Sequence, residues 1–274
     1  MSTNIDKQIL ITRSALEMIS DIHEKKTRLT FPHFNRTGIA QSQIFDLLEG
    51  LDPLVSYYIK KYHVATTADP DGNFTWTFLT EYIPNDRETL SAMRGQAEHA
   101  ARFLAGKLFQ EQMPDYMKVY RTCAFLCGCL NFNNNSDTAV YGLNPYGALI
   151  NGVCGCQGFA GALKLLLKEA GVPCMTISGT VLKDTPAFSA GRFEQDPRTK
   201  STRHYWNLVG IETTDGILYF HVDVCWGQQD KDMNFDFFLK DDLYMKKYLK
   251  WDEAAYPACQ VIPGEDIEKL IKAG

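Results

Sequence analysis

Apolar residues recur at helical spacing along three stretches of the chain, and these stretches predict three helices. The first follows Asn85 or Asp86, either of which can cap a helix, and it extends to about residue 109. The second begins at Pro114 and extends to about residue 130. The third begins at Cys156 and ends at Gly171, because glycine commonly follows the last residue of a helix.

Alternating apolar residues predict two β-hairpins. In the first, aromatic residues alternate through residues 74–78, after a turn at residues 69–72. In the second, an Asp-Gly pair separates runs at residues 208–211 and 217–220, and this pair is a strong signal for a hairpin turn.

The remaining stretches have weaker patterns. Residues 1–40 are polar and irregular with only a weak helical pattern, and residues 42–62 predict a short helix that is interrupted near Pro53. The stretch 183–203 contains prolines and many charges but no apolar period. Since it lies directly before His204, a lid over the site and a solvated insertion without catalytic consequence are equally favoured.

The third predicted helix places a thiol where a nucleophile is stabilised. Cys156 lies in its first turn, where backbone N–H groups and the positive end of the helix dipole stabilise a thiolate. The same N–H groups can hold the oxyanion of a tetrahedral intermediate. Gly155 and Gly158 flank the thiol with little bulk, so a substrate can approach closely.

The second hairpin supplies the partners that a thiol nucleophile needs. It brings His204 roughly opposite the region around Asp223, so the two side chains are expected within reach of each other. Asp223 can then hold one ring nitrogen while the other faces the thiol, which fixes the tautomer. Trp206 and Trp226 are expected to wall the site and to lower its dielectric constant.

Three motifs follow one another in the chain. Gly152 precedes Cys-Gln-Gly-Phe-Ala at residues 156–160, and His-Tyr-Trp-Asn at residues 204–207 precedes His-Val-Asp-Val-Cys-Trp at residues 221–226. Over roughly residues 113–228 this succession resembles the transglutaminase-like superfamily. That superfamily has the papain-related fold shared by transglutaminases, peptide N-glycanases and many bacterial thiol proteases.

The resemblance implies an α+β, papain-like core in which a catalytic helix packs on an antiparallel sheet, preceded here by a helical and hairpin region. It assigns the roles of nucleophile, base and orienting acid to Cys156, His204 and Asp223. It also favours Cys156 over Cys154, because only Cys156 has glycine and an aromatic residue at the family's offsets. Cys154 either forms a reversible regulatory disulfide with Cys156 or has no role.

Further residues are candidates for the wall of the site or for oxyanion donors. They are Gln157, Trp206, Asn207, Trp226, Asn131 and Asn133. His221 points to the same face as Asp223, because it lies two residues before it on a strand. For His221, simple packing is favoured over a role as a partner of the site.

Composition narrows the class of protein. The net charge of -5 argues against nucleic acid as the main partner, and the apolar runs are too short to span a membrane. No secretory signal is evident, so the eight cysteines are typical of reduced thiols in the cytoplasm. The spacing of Cys123, Cys127 and Cys129 differs from the paired spacing of zinc sites. We therefore expect these cysteines to lie on a buried helix. Neither a metal nor another cofactor is expected.

We expect an N-terminal region at residues 1–112 and a catalytic domain at residues 113–274, whose aromatic-rich end forms a clasp over the edge of the sheet. The predicted function is thiol acyl transfer through a thioester, as a cysteine protease or amidase acting on a peptide or protein substrate. Amine transfer by a protein-glutamine transglutaminase is the alternative. A non-catalytic binding module on the same fold is an alternative of another class, although no triad residue is missing. No oligomeric state is predicted.

Overall fold

The computed structural model describes residues 4–32, 34–39, 41–133, 140–182, 203–213 and 216–259. The candidate lid at residues 183–203 therefore lies outside the described residues, apart from Arg203. The chain divides into two compact units, Met1–Arg94 and Gly95–Gly274. The functional division into residues 1–112 and 113–274 stays a prediction.

The first unit combines short helices with a three-stranded antiparallel sheet. Its helices are α1 (Asn4–His23), α2 (Phe34–Thr37), α3 (Ile44–Leu51) and α4 (Val55–Tyr58). Its strands are β1 (Arg28–Phe31), β2 (Ile59–Ala68) and β3 (Phe74–Tyr82), and β3 lies between the other two. The predicted first hairpin and the helical break near Pro53 are both confirmed.

The prediction of an irregular N-terminus is wrong, because α1 is a helix of 20 residues. Its buried face repeats at helical spacing and consists of Ala15, Met18, Ile19 and Ile22. Other apolar residues of the same helix lie exposed, and they obscure this period in the sequence; these are Ile5, Ile9 and Leu16.

Helix α5 (Arg87–Leu108) contains the division between the two units. Asp86 caps it, since its Oδ1 accepts a hydrogen bond from the backbone N–H of Thr89 at 2.8 Å. The predicted helix and one of its two candidate caps are confirmed.

The second unit packs two helices, α6 (Asp115–Cys129) and α8 (Cys156–Glu169), against an antiparallel sheet. The short elements between and after these helices are β4 (Asn131–Phe132), α7 (Pro145–Leu149), β5 (Val153–Cys154), α9 (Val224–Gly227), β9 (Gln228–Gln229), β10 (Asp232–Met233) and α10 (Asp242–Met245). The sheet consists of β6 (Cys174–Val181), β7 (Arg203–Thr213), β8 (Gly216–Val222) and β11 (Leu249–Lys250), in the order β11-β6-β7-β8. The predicted α+β arrangement of a helix on an antiparallel sheet is confirmed.

The core of the second unit lies between α8 and the sheet. Phe159, Leu163 and Leu166 of α8 are fully buried there with Trp206 and Phe220 of the sheet. Burial of these apolar side chains is the main term that stabilises the helix on the sheet, at roughly 2 to 3 kcal/mol for each large side chain. The segments that contain the three sequence motifs are thus attached to elements that bury large apolar side chains.

The expected buried helix around Cys123 is confirmed, and the clasp after Trp226 stays a prediction. Cys123 and Cys127 both lie on the buried face of α6, whereas Cys129 is exposed. The stretch after Trp226 returns to the edge of the sheet, where β11 pairs with β6 through Leu249 and Val181. None of the helices in the described part of the chain is long and apolar enough to cross a membrane.

Candidate active site

The candidate nucleophile is the first residue of α8. Gly155 precedes it in an extended conformation, and Cys156 itself is half-buried. At this position the backbone N–H groups of the first turn have no partners within the helix, and their dipoles favour negative charge on the thiol sulfur. The local sequence therefore places Cys156 where a thiolate is stabilised and partly accessible.

The second thiol, Cys154, lies in a different environment. It is fully buried, and burial together with the nearby Cys156 raises its pKa well above the ordinary range of a thiol. Cys154 and Cys156 are both free thiols, and the regulatory disulfide between them stays a prediction. Because a thiol with a raised pKa is a poor nucleophile at neutral pH, the structure favours Cys156 over Cys154 as the reactive group.

The imidazole of His204 and the carboxylate of Asp223 meet in the interior. His204 lies near the start of β7, and Asp223 follows the last residue of β8, to which β7 pairs in antiparallel register. The His204 Nε2 and Asp223 Oδ2 atoms lie 2.5 Å apart, and both side chains are almost completely buried. The other oxygen of Asp223 accepts the backbone N–H of Trp226 at 3.0 Å, so the carboxylate is held on both sides.

The surroundings of His204 favour its charged form. Burial lowers its pKa, but the charge and hydrogen bond of Asp223 raise it, and so does a hydrogen bond with Cys156. The net result is a pKa raised from 6.5 to about 10. Asp223 occupies Nε2, and the Cys156 thiol is the other group close enough to raise the pKa of the ring.

Two indoles pack against the imidazole of His204. The Trp226 ring is stacked on it at 4.5 Å between centroids, and the Trp206 ring lies nearly parallel to it at 6.0 Å. Both tryptophans are buried. Aromatic faces exclude water and attract a cation such as imidazolium, so the two indoles shield the His204 ring.

His221 takes part in a second buried network. Its Nδ1 accepts the indole N–H of Trp206 at 2.9 Å, and its Nε2 lies 2.8 Å from Asp242 Oδ1. Since an indole N–H can only donate, Nδ1 must be the unprotonated nitrogen and Nε2 must donate to Asp242. The favoured interpretation of His221 as simple packing is therefore incomplete, and Asp242 was missed.

The same residues form a potential metal-binding group. Ligand atoms of His221, Asp242 and Cys259 all lie within 4.8 Å of one another. However, the hydrogen bond from Trp206 requires the proton of His221 to be on Nε2, which leaves that nitrogen without a lone pair for a metal. Burial also raises the pKa of Cys259 and opposes the thiolate form that metals bind. The donor set does not fit a metal ion in this arrangement.

Asn207 connects the sheet to the catalytic helix. Its Nδ2 donates to the backbone oxygen of Ala160 at 3.1 Å and to that of Met175 at 3.3 Å. Both amide hydrogens are thereby engaged, so neither is available to an oxyanion. The role of Asn207 in this structure is to fix α8 to β6.

The remaining candidate oxyanion donors differ in their surroundings; they are Asn131, Asn133 and Gln157. Asn131 is exposed, donates its backbone N–H to Gly152 and accepts Lys231 Nζ on its side chain at 2.7 Å. Asn133 is half-buried and donates its backbone N–H to Cys154 at 2.9 Å. Gln157 is half-buried in the first turn of α8, beside Cys156.

A cavity of about 380 Å³ adjoins the wall residue Trp226. It is lined by Asn131, Phe132, Cys225, Trp226, Gln228, Asp230 and Lys231.

Comparison with known proteins finds one family model that matches part of the chain. Residues 102–224, a little under half of the chain, match the model of the Transglutaminase-like superfamily. This stretch contains Cys156, His204 and Asp223, and the resemblance drawn from the motifs is confirmed for it. No curated protein matches the sequence.

Three solved structures show a limited similarity. One described as "a TGase" has a TM-score of 0.36 and 10% identity, over 59% of this chain and 43% of that chain. One from Cytophaga hutchinsonii, described as "a Putative Cysteine Protease", has a TM-score of 0.37 and 12% identity, over 72% of this chain and 70% of that chain. One from Parabacteroides distasonis, described as "a putative protease", has a TM-score of 0.29 and 12% identity, over 59% of this chain and 36% of that chain. The chain thus spans less than half of the first and third.

Proposed function

We propose, from the transglutaminase-like core formed by residues 102–224, that the chain is a thiol acyl-transfer enzyme with Cys156 as nucleophile, His204 as acid and base, and Asp223 as orienting group. One observation carries the proposal. The His204 ring bonds the Asp223 carboxylate in the interior, and Cys156 at the start of α8 is close enough to raise the pKa of that ring. This is the arrangement that activates a nucleophile by an adjacent, oriented base.

The proposed reaction starts from an ion pair in which the Cys156 proton has already passed to His204, in keeping with the raised pKa of that ring. The thiolate forms a bond to the carbonyl carbon of a peptide or carboxamide, and the carbonyl π electrons move to the oxygen. Backbone N–H groups in the first turn of α8 are the proposed oxyanion donors. As the intermediate collapses, the C–N bond breaks and the imidazolium protonates the departing amine, which leaves a thioester on Cys156.

The thioester is then resolved by a second nucleophile. His204 takes a proton from water, the hydroxide oxygen bonds to the acyl carbon, and the C–S bond breaks to regenerate the thiol. Hydrolysis of this kind makes the enzyme a cysteine protease or amidase on a peptide or protein substrate, and it is the favoured outcome. A primary amine in place of water would make it a protein-glutamine transglutaminase. A reducing compartment such as the cytoplasm keeps the thiol active and belongs to the proposal.

Labelling with iodoacetamide tests the nucleophile. At about pH 6 an ordinary thiol is almost wholly protonated, whereas a thiolate paired with an imidazolium stays ionised. Cys129 is exposed and serves as the internal reference. We expect Cys156 to react at least about tenfold faster than Cys129 at this pH, and His204→Ala to remove the advantage. Peptide mapping by mass spectrometry measures both rates, and equal rates in the wild-type protein would refute the proposal.

Turnover of peptide amides, with and without an added primary amine, separates the outcomes. The expected result is ammonia or peptide release that is lost in Cys156→Ala and yields the free acid even when amine is present. Incorporation of the amine would instead favour the transglutaminase. A wild-type protein that binds peptides but turns none over would favour the non-catalytic binding module.

A further inference from the structure

Four side chains form a continuous path from the clasp to the candidate base. Asp242 Oδ1 lies 2.8 Å from His221 Nε2, and His221 Nδ1 accepts the indole N–H of Trp206 at 2.9 Å. The Trp206 ring then lies at 6.0 Å and 13° from the ring of His204. His221 and Trp206 are almost fully buried, so water does not compete for these contacts.

We propose that His221 and Asp242 form a second histidine–carboxylate pair that positions Trp206 against His204. The pair does not touch the reacting atoms, and it acts through the indole. The inference rests on the proposed function, because it assigns positioning residues to the same site.

The direction of the hydrogen bonds supports this role. The indole requires an acceptor at His221 Nδ1, and Asp242 supplies it by holding the proton of the ring on Nε2. A charged His221 would direct a second N–H at the indole N–H and break the network. Burial lowers the pKa of His221 and so keeps the ring neutral.

Asp242 is itself fixed, so the path begins at a rigid point. Its Oδ2 accepts the backbone N–H of Cys259 at 3.1 Å, and it is the first residue of α10. Trp251, which follows β11, packs edge-on against both His221 and Trp206, at 4.9 and 5.9 Å between centroids. The clasp therefore limits rotation of the indole from two sides.

The consequence falls on the imidazole of His204. That ring must keep Nε2 on Asp223 and Nδ1 towards the thiol, and a nearly parallel indole restricts its tilt and stabilises its cationic form. If His221 no longer accepts the indole N–H, a buried donor is left unsatisfied and the indole is expected to reorient. The imidazolium then loses part of its support.

Two substitutions of His221 separate this role from mere packing. In His221→Asn the amide can present its oxygen where Nδ1 was and still accept from Trp206. In His221→Gln the amide reaches Asp242 instead, and the acceptor for Trp206 is lost. His23→Gln is the matched control, because His23 also bonds a carboxylate, Asp52 Oδ2, through Nε2 at 2.7 Å.

The measurements are kcat and KM for a peptide amide and the pH profile of Cys156 alkylation in the full chain. We expect His221→Gln to lower kcat about tenfold with KM nearly unchanged, and to move the alkylation profile to higher pH. His221→Asn is expected to stay within about threefold of the wild-type kcat, and His23→Gln to match the wild type.

The outcomes distinguish the inference from the proposed function. If Cys156→Ala is inactive while His221→Gln matches the wild type in kcat and pH profile, the positioning role is refuted and the proposed function stands. If Cys156→Ala keeps full turnover, the proposed function itself fails. Should His221→Gln not fold, Trp206→Phe replaces it, since phenylalanine has no N–H to satisfy. The same shift of the pH profile supports the inference there, and an unchanged profile overturns it.

Discussion

At the scale of single residues, the site depends on the proton of His204. Burial alone would neutralise this ring, yet the carboxylate of Asp223 and the thiol of Cys156 outweigh burial and raise the pKa to about 10. A group whose pKa is higher in the folded than in the unfolded state stabilises the fold when it is protonated. The contribution is complete below the unfolded value of 6.5 and is lost as the pH rises through about 10.

Substitution of Asp223 by asparagine tests this linkage. Between pH 6.5 and about 8.5, the unfolded chain releases the His204 proton while the native protein keeps it. The wild-type free energy of unfolding should therefore fall by up to about 1.4 kcal/mol per pH unit from this group. Asp223→Asn should flatten the slope, because a neutral amide does not hold the imidazolium. Urea unfolding at several pH values measures it, with all variants in a Cys156→Ala background so that ionisation of the thiol does not offset the His204 proton.

Asp242→Asn is the control for this experiment. His221 is neutral in the folded state, because burial lowers its pKa, and loss of its carboxylate partner should leave the slope in this pH range at the wild-type value. The raised pKa attributed to His204 would be contradicted by equal slopes in the wild-type and Asp223→Asn proteins.

Some residues of the candidate site could be predicted from their neighbours in the sequence, and others could not. Cys156 was favoured over Cys154 because it has glycine and an aromatic residue at the offsets of the family motif, and this assignment stays a prediction. The partner of His221 could not be found in this way. Asp242 lies 21 residues further along, in a segment without a regular apolar period, and only the return of the chain to the sheet brings the two together.

At the scale of elements, the close approach of α8 to the preceding segment decides where Cys156 lies. Gly158 is buried in the first turn of this helix, and a Cβ atom there would be 2.5 Å from Cys154 Cβ and 2.6 Å from the backbone oxygen of Gly142. Gly155 also donates its backbone N–H to Gly142 at 3.1 Å. Only glycine allows the helix to start this near to its neighbours.

Gly158→Ala should therefore destabilise the protein by about 1 to 3 kcal/mol, through overpacking against backbone that cannot move aside easily. Gly161→Ala is a matched control in the same helix. The nearest atom to its Cβ is Pro145 Cγ at 3.4 Å, an ordinary contact. Alanine there should be neutral or stabilise by up to about 1 kcal/mol, because it restricts the unfolded chain and favours the helix. Urea unfolding compares the two, and equal effects would contradict the close approach.

The helices with one clean apolar face were predicted well, and α1 and the shortest strands were not. Helices α5, α6 and α8 bury one side, so their period is visible in the sequence, whereas β7 is buried continuously from Trp206 to Ile211 and was predicted with β8 from the Asp-Gly turn between them. Helix α1 was missed because apolar residues also lie on its exposed side. Short strands such as β11 have two residues, and no period can be read from so short a segment.

At the scale of the whole molecule, the chain has two units with separate hydrophobic cores. Every residue assigned to the candidate site lies in the second unit, Gly95–Gly274. The first unit, Met1–Arg94, is built around Phe78, whose fully buried ring contacts the rings of Phe45 and Tyr62. The motifs indicate the second unit and give no function for the first. The boundary between the two units could not be found from sequence patterns, because it falls inside the regular helix α5.

Phe78→Ala tests whether the chemistry belongs to the second unit alone. Removal of this ring leaves a cavity and should cost about 3 to 5 kcal/mol of stability in the first unit. The onset of unfolding is followed by circular dichroism of the Phe78→Ala protein itself, with all four tryptophans kept. At urea concentrations below the onset of unfolding, Cys156 in the Phe78→Ala protein should be alkylated at the wild-type rate. Phe220→Ala, a substitution of similar cost beside His221, should lower that rate. A fall in the rate of Cys156 alkylation in folded Phe78→Ala protein would show that the site depends on the first unit.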